Sequence, residues 1–177
     1  KVFAQSLADA SGINIVGVAG GKFDYLGDIL LRDAKLSLTI DLRGTAVQVP
    51  ELGWSKLSAE SGRLNMTVSV KDGKLSSIQD INLVAGSMSA SGKLAFDRAG
   101  QLTGAFFERA AWPSNDVRDL IVRKVDNASW SMKGNAKLLD LRTVFNKDQS
   151  NWSKNLDFSF SGNQIFVTDR VSLSGHL

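Results

Sequence analysis

Residues 63–71 read RLNMTVSVK, so every second residue from Leu64 to Val70 is apolar and the residues between them are polar. Successive side chains of a β-strand point to opposite faces of the sheet, so this alternation predicts a strand with one apolar and one hydrophilic face. The dipeptide Asp72-Gly73 follows directly and is typical of a tight β-hairpin turn. The stretch therefore predicts an antiparallel pair of strands with a shared apolar face.

The same period of two recurs along the chain. It is present in residues 35–42, 93–97, 128–133 and 155–161. Turn signals separate these runs at residues 20–21, 98–100 and 161–163, and a hairpin is predicted near Asp126-Asn127. Short connections favour pairing between consecutive strands. The predicted fold class is mainly β: a curved antiparallel meander sheet, a half-pipe or β-groove, with one or two short helices.

Helical signals are few. Leu141 to Lys147 is the best candidate, because Leu141, Val144 and Phe145 share a helical face and Asp140 can cap its start. Residues 114–122 are a second candidate, but apolar and charged residues alternate there and favour a strand. One short helix is too small to cover a long sheet.

The predicted sheet thus has more apolar surface than the chain can obviously cover. Strands of about eight residues build a sheet roughly 25 Å across, and proteins in water seldom leave so large an apolar area wet. Either the sheet closes into a barrel, or that face meets a ligand or a second sheet, as in a β-sandwich whose layers pack about 10 Å apart. If the strand register places them on one face, ten residues line the groove: Leu36, Leu38, Ile40, Leu64, Met66, Val68, Leu94, Phe96, Phe158 and Phe160.

Composition narrows the function. The 177 residues are 43% hydrophobic and 22% charged, with a net charge of +3, no cysteine and no long run of basic residues. Nucleic acid is therefore not a predicted partner. His176 is the single histidine, so a two-histidine metal site is excluded, and no defensible carboxylate pair is present. We predict no catalytic residues, no metal and no cofactor, and hence a protein that is not an enzyme.

The chain is predicted to be one piece of a longer, repetitive protein. It begins at Lys1 without methionine and stops at Leu177 within an alternating pattern. We expect residues 1–177 to form a single β-groove segment, with a possible break between sub-units near residues 140–152.

Three motifs resemble a family of proteobacterial envelope proteins. They are Leu52-Gly53-Trp54-Ser55-Lys56, a Gly-rich alternating run over residues 82–102, and a block over residues 134–142 that ends in Leu-Asp-Leu-Arg. Together they resemble the AsmA-like superfamily, of the YhdP and TamB type, in its alphaproteobacterial branch. The resemblance covers roughly residues 12–177.

The resemblance implies a function as well as a fold. Members are long half-pipes that are anchored in the inner membrane and extend through the periplasm. They carry phospholipid towards the outer membrane and take part in outer membrane biogenesis. The expected function is that of a periplasmic lipid-conduit segment, attached to the inner membrane through other parts of the parent chain. A structural β-sandwich scaffold, or an interaction module of the cell envelope, is the alternative.

Overall fold

A computed structural model describes residues 14–16, 20–27, 33–49, 52–126, 129–142, 155–168 and 171–176. Strands dominate these residues, as predicted. They are β1 (Asn14–Val16), β2 (Gly20–Gly27), β3 (Ala34–Asp41), β4 (Ala46–Val49), β5 (Trp54–Lys56), β6 (Gly62–Lys71), β7 (Lys74–Ala85), β8 (Met88–Phe96), β9 (Leu102–Trp112), β10 (Asn115–Lys124), β11 (Ser129–Asp140), β12 (Asn155–Thr168) and β13 (Val171–His176). No helix long and apolar enough to cross a membrane occurs in these ranges.

The main sheet has ten strands in the order β13-β12-β11-β10-β9-β8-β7-β6-β3-β2. It is open, because its edge strands β2 and β13 do not pair with each other. Eight of its nine pairings are antiparallel, as predicted, and β3 pairs with β6 across the intervening β4 and β5. Register shifts interrupt several of these ladders, and such bulges bend a strand and increase its twist.

One pairing departs from the predicted meander. Strands β11 and β12 run parallel, with Met132 opposite Phe158. A parallel pair needs a crossover connection, because the chain must return to the end of the sheet from which it started. Residues 141–154 make that connection, and residues 143–154 lie outside the described ranges. The predicted helix and the predicted sub-unit break both fall there.

The predicted turns at residues 72–73 and 98–100 are present, whereas the break predicted at residues 20–21 is wrong, because Gly20 and Gly21 begin β2 and pair with β3. Asp72 and Gly73 have φ of 50° and 73° between the paired residues Lys71 and Lys74, which gives the hairpin of β6 and β7. Asp97 closes the turn between β8 and β9 by accepting hydrogen bonds from Ala99 N and Gln101 N at 2.8 and 2.9 Å. The ambiguous segment after Pro113 forms a strand, as preferred from its alternation.

The predicted break at Ser161-Gly162-Asn163 is wrong. These residues lie inside β12, which continues to Thr168. Gly162 is a close-contact position, because a Cβ there would lie 2.9 Å from the carbonyl oxygen of Ala136 on β11. Glycine here marks a close approach of two strands, and a bulge against β13 follows it.

A second, three-stranded sheet of order β1-β4-β5 lies at one end of the main sheet. A Cβ built on Gly62 would lie 2.9 Å from Cε of Lys56 and 3.4 Å from Cα of Ala85. Gly62 alternates in phase with Leu64 along β6, so the Lys56 side chain lies over the apolar side of the main sheet. The small sheet therefore lies over that side at the end where β6 begins.

Lys56 is buried, although it carries an ammonium group. Its Nζ donates to the carbonyl oxygens of Thr45 and Leu57 at 2.9 and 3.0 Å. Thr45 Oγ1 and Trp54 Nε1 beside it are buried without a hydrogen-bond partner among the described residues. Carbonyl oxygens thus compensate the buried charge, as desolvation of an ammonium demands.

The tightest packing is found where β10, β11 and β12 meet. The core cluster consists of Val117, Leu120, Ala136, Leu139, Leu141, Phe160 and Ile165. Asn115 connects strands at the edge of this cluster. Its Oδ1 accepts a hydrogen bond from Asp140 N at 2.8 Å, and its Nδ2 donates one to Pro113 O at 3.1 Å. Leu141 N donates to Phe166 O at 2.8 Å, which continues the β11–β12 contact past the end of β11.

Acid should weaken this end of the sheet through Asp140. Its carboxylate accepts from Nη2 of Arg142 at 2.6 Å and from Nε at 2.8 Å, and the guanidinium lies 5.3 Å from the Phe166 ring centre. These hydrogen bonds hold the pKa of Asp140 below its usual 3.8. Because the pKa of Asp140 is lower in the folded than in the unfolded state, its carboxylate contributes fully to stability when the pH is above the unfolded-state pKa. That contribution is lost as the pH falls through the folded-state pKa.

We therefore expect Asp140→Asn to make the free energy of unfolding less dependent on pH in acid. The free energy of unfolding of the wild type should fall more steeply than that of the variant between about pH 5 and pH 2, measured by urea titration at several pH values. Asp157→Asn is the matched control, because Asp157 lies exposed on β12. Parallel profiles for the wild type and Asp140→Asn would contradict the role of this ion pair.

Candidate functional site

The ladder register places all ten predicted lining residues on one side of the main sheet, which we call the apolar face. Leu36 lies opposite Val68, Leu38 opposite Met66, and Ile40 opposite Leu64. Paired residues share a face, so these contacts fix the alignment of β3 and β6. Ile78 pairs with both Val68 and Leu94, so Leu94 lies on the same face. Phe96 and Phe160 also lie there, because they are two residues from Leu94 and Phe158 along their strands.

One row of the apolar face crosses eight strands without a polar side chain. Its members are Leu36, Val68, Ile78, Leu94, Ala105, Val122, Met132 and Phe158. Neighbouring strands lie about 4.8 Å apart, so the row is roughly 34 Å long. A parallel row contains Leu83 and Ala90 between Leu64 and Ala110.

The ten predicted residues differ in how far they are covered. Val68 and Phe160 are each 4% exposed and form part of the packed interior. The other eight, among them Leu38, Met66 and Leu94, are half-buried. A ligand on this face would therefore touch the half-buried side chains first, because Val68 and Phe160 have almost no exposed surface.

The described residues do not supply a second layer over the middle of the apolar face. The small sheet has strands of three, four and three residues, and its Lys56 side chain approaches the main sheet at Gly62. The core cluster occupies the apolar face on β10, β11 and β12, towards the same end of the face as the small sheet. Beyond that end lies a trough whose half-buried side chains come from β3, β6, β8, β9 and β11.

Several residues of the apolar face were missed by the sequence prediction. Ile78, Ala105, Val122 and Met132 all belong to the eight-strand row. Alternation fails in β7 and β10 because Asp80 and Asp119 have φ of 53° and 50°, each next to a register shift. Aspartate adopts the left-handed conformation more readily than most residues other than glycine. The residue type at Asp80 and Asp119 is therefore the sequence signal that could have revealed these bulges.

The opposite side of the sheet, the polar face, is hydrophilic along most of its length. Lys35, Ser37 and Thr39 of β3 lie there opposite Ser69, Thr67 and Asn65 of β6. Arg109 on β9 pairs with the Asp116 carboxylate on β10 at 3.1 Å. The main sheet thus separates a hydrated surface from an apolar one with a single layer of backbone.

No protein-family model, curated protein sequence or solved structure matches the chain. The functional argument accordingly depends on the chemistry of the two faces.

Proposed function

We propose that the apolar face binds phospholipid acyl chains and that the chain is a conduit segment in the periplasm, carrying lipid between the inner and outer membranes. One observation carries the proposal: an apolar row crosses eight strands, and the described residues leave most of it without a second layer. The predicted resemblance to AsmA-like envelope proteins, anchored in the inner membrane through the parent chain, agrees with it.

The mechanism is passive. Each methylene group that leaves water contributes about 0.8 kcal/mol, so affinity grows with acyl chain length and needs no catalytic residue. One leaflet of acyl chains is about 15 Å deep, half of a ~30 Å hydrocarbon core, and the row of roughly 34 Å exceeds that length. The headgroup stays in water at the open side of the trough. Lipid can then shift along the face by exchanging one set of aliphatic contacts for another.

The cross-strand pair Leu38 and Met66 provides the test. Both are half-buried on the apolar face. We expect Leu38→Asp/Met66→Asp to abolish retention of phospholipid after incubation with phosphatidylethanolamine vesicles, measured by native mass spectrometry. Two carboxylates in the trough raise the cost of covering it with hydrocarbon, because each must be desolvated.

A matched control lies one residue away on each strand. Ser37→Asp/Asn65→Asp adds the same charge to the polar face of the same two strands, and it should retain lipid like the wild type. Circular dichroism shows whether each variant keeps its strands. Equal lipid retention by the two double variants would refute the assignment of the apolar face. A folded wild type that takes up no lipid would instead favour the envelope scaffold.

A further inference from the structure

The polar face carries an apolar island on β9 and β10. Lys93 pairs with Phe106, Phe106 with Ile121, and Ile121 with Lys133. Because paired residues share a face, these four side chains form a row across β8 to β11. Phe106 and Ile121 are half-buried, whereas Lys93 and Lys133 are exposed. Two large apolar side chains between lysines contrast with the Lys, Ser and Thr side chains of β3 on the same surface.

A depression of about 560 Å³ lies beside the island, and we call it the outer basin. Its floor is low because Ala95 faces Gly104 across the β8–β9 ladder. A Cβ on Gly104 would lie 2.9 Å from the carbonyl oxygen of Val122, so the close strand approach excludes a larger residue there. Phe106 and Ile121 form one wall, and Arg123 lies opposite Gly104 on β10.

The outer basin is positively charged. The side chains of Lys93 and Arg123 line it from the polar face, and no carboxylate lines it. The ion pairs of the described residues, Arg43–Asp41, Arg109–Asp116 and Arg142–Asp140, do not involve these cations. The Lys93 ammonium lies over the Phe106 ring, 5.6 Å from its centre. Its charge is thus held at the island by the ring quadrupole and stays available to an anion.

We propose that the outer basin binds an acidic peptide segment of a partner protein, one that carries an apolar side chain between its carboxylates. Lys93, Arg123 and Lys133 lie on β8, β10 and β11, so the cations span about 14 Å. That length exceeds a single phosphate group and fits four or five residues of extended peptide, at about 3.3 Å each. The apolar side chain rests on Phe106 and Ile121.

Charge and shape both favour a peptide over a nucleic acid strand. Single-stranded nucleic acid binds through successive aromatic platforms along a basic groove, and the basin offers one ring, Phe106. Asp157 lies opposite Ser131 on the same face and bounds the basic region on the β12 side. The basin is separated from the lipid trough by the sheet itself, so this proposal does not depend on the lipid function.

The test measures fluorescence anisotropy with a labelled ten-residue peptide in which two phenylalanines are embedded among aspartates and glutamates. We expect the wild type to bind it with salt-dependent affinity. Lys93→Gln/Lys133→Gln should weaken binding about fivefold to tenfold, since exposed charge pairs contribute modestly. Phe106→Ala should weaken it separately and leave the salt dependence unchanged, because it removes an apolar contact.

Lys35→Gln/Arg63→Gln is the matched control. It removes the same charge from the polar face at β3 and β6, away from the basin, and should leave binding unchanged. Equal weakening by both double variants would show unspecific attraction and overturn the proposal. Tighter binding of a ten-nucleotide oligothymidine, or of phosphatidylglycerol vesicles, than of the peptide would also overturn it. Loss of lipid retention at the trough would leave these outcomes unaffected.

Discussion

Phe160→Ala is expected to lower the free energy of unfolding by about 3–5 kcal/mol. The Phe160 ring is 4% exposed and belongs to the core cluster of β10, β11 and β12. It packs over Gly134, whose built Cβ would lie 3.2 Å from Phe160 Cε1. Truncation removes the ring and leaves a cavity that Gly134 has no side chain to fill. Chemical denaturation followed by circular dichroism measures the loss.

Phe106→Ala is the matched control for this prediction. It deletes the same atoms from a half-buried ring on the polar face, where water replaces the ring without a cavity. We expect a loss of about 1–2 kcal/mol, less than half that of Phe160→Ala, because less apolar area leaves water at this site. Similar losses for the two variants would mean that the single-layer sheet packs no more tightly at Phe160 than at its polar face.

Gly92→Ala should be the most damaging single-methyl addition in the described strands. A Cβ on Gly92 would lie 2.2 Å from the carbonyl oxygen of Phe106 and 2.8 Å from Cα of Phe107. Both atoms are backbone, so relief requires that β8 and β9 separate at this rung. Overpacking typically costs about 1–3 kcal/mol, and we expect a loss at or above the upper end of that range, measured by thermal and urea unfolding.

Gly134→Ala tests whether backbone contact is the cause. Its built Cβ meets a side-chain atom of Phe160 at 3.2 Å and backbone atoms only at 3.3 Å. The ring can give by a few tenths of an ångström, so we expect a clearly smaller loss than for Gly92→Ala. The reverse order would show that the β8–β9 ladder yields more easily than the packed core.

Local chemistry predicted much of this fold. Alternation in residues 63–71 requires a two-faced strand, and Asp72-Gly73 supplies the positive φ of a tight hairpin. The same logic identified the half-buried residues of the apolar face on β3 and β6, because a one-residue slip between two uninterrupted alternating strands would put their apolar sides on opposite faces. Whether these residues bind lipid stays a prediction until the lipid-retention test is made.

Other features depend on contacts between distant segments. The parallel pairing of β11 with β12 follows from where the chain re-enters the sheet, and no local pattern encodes that. Ser161-Gly162-Asn163 has turn-forming residues, yet it extends β12, because the Gly162 backbone approaches Ala136 too closely for any side chain. The bulges at Asp80 and Asp119 shift the phase of alternation, which concealed Ile78 and Val122 from the sequence prediction.

The sequence by itself determined that the strands are amphipathic and where most of them turn, since side-chain polarity and backbone preference act within a few residues. Only the tertiary structure decided which strands are neighbours, which apolar side chains are sealed in the β10–β12 core, and which stay half-buried in the trough. Those outcomes depend on how closely separate strands approach one another. Hence the outer basin, formed where Ala95, Gly104 and Arg123 meet, is visible only in the assembled sheet.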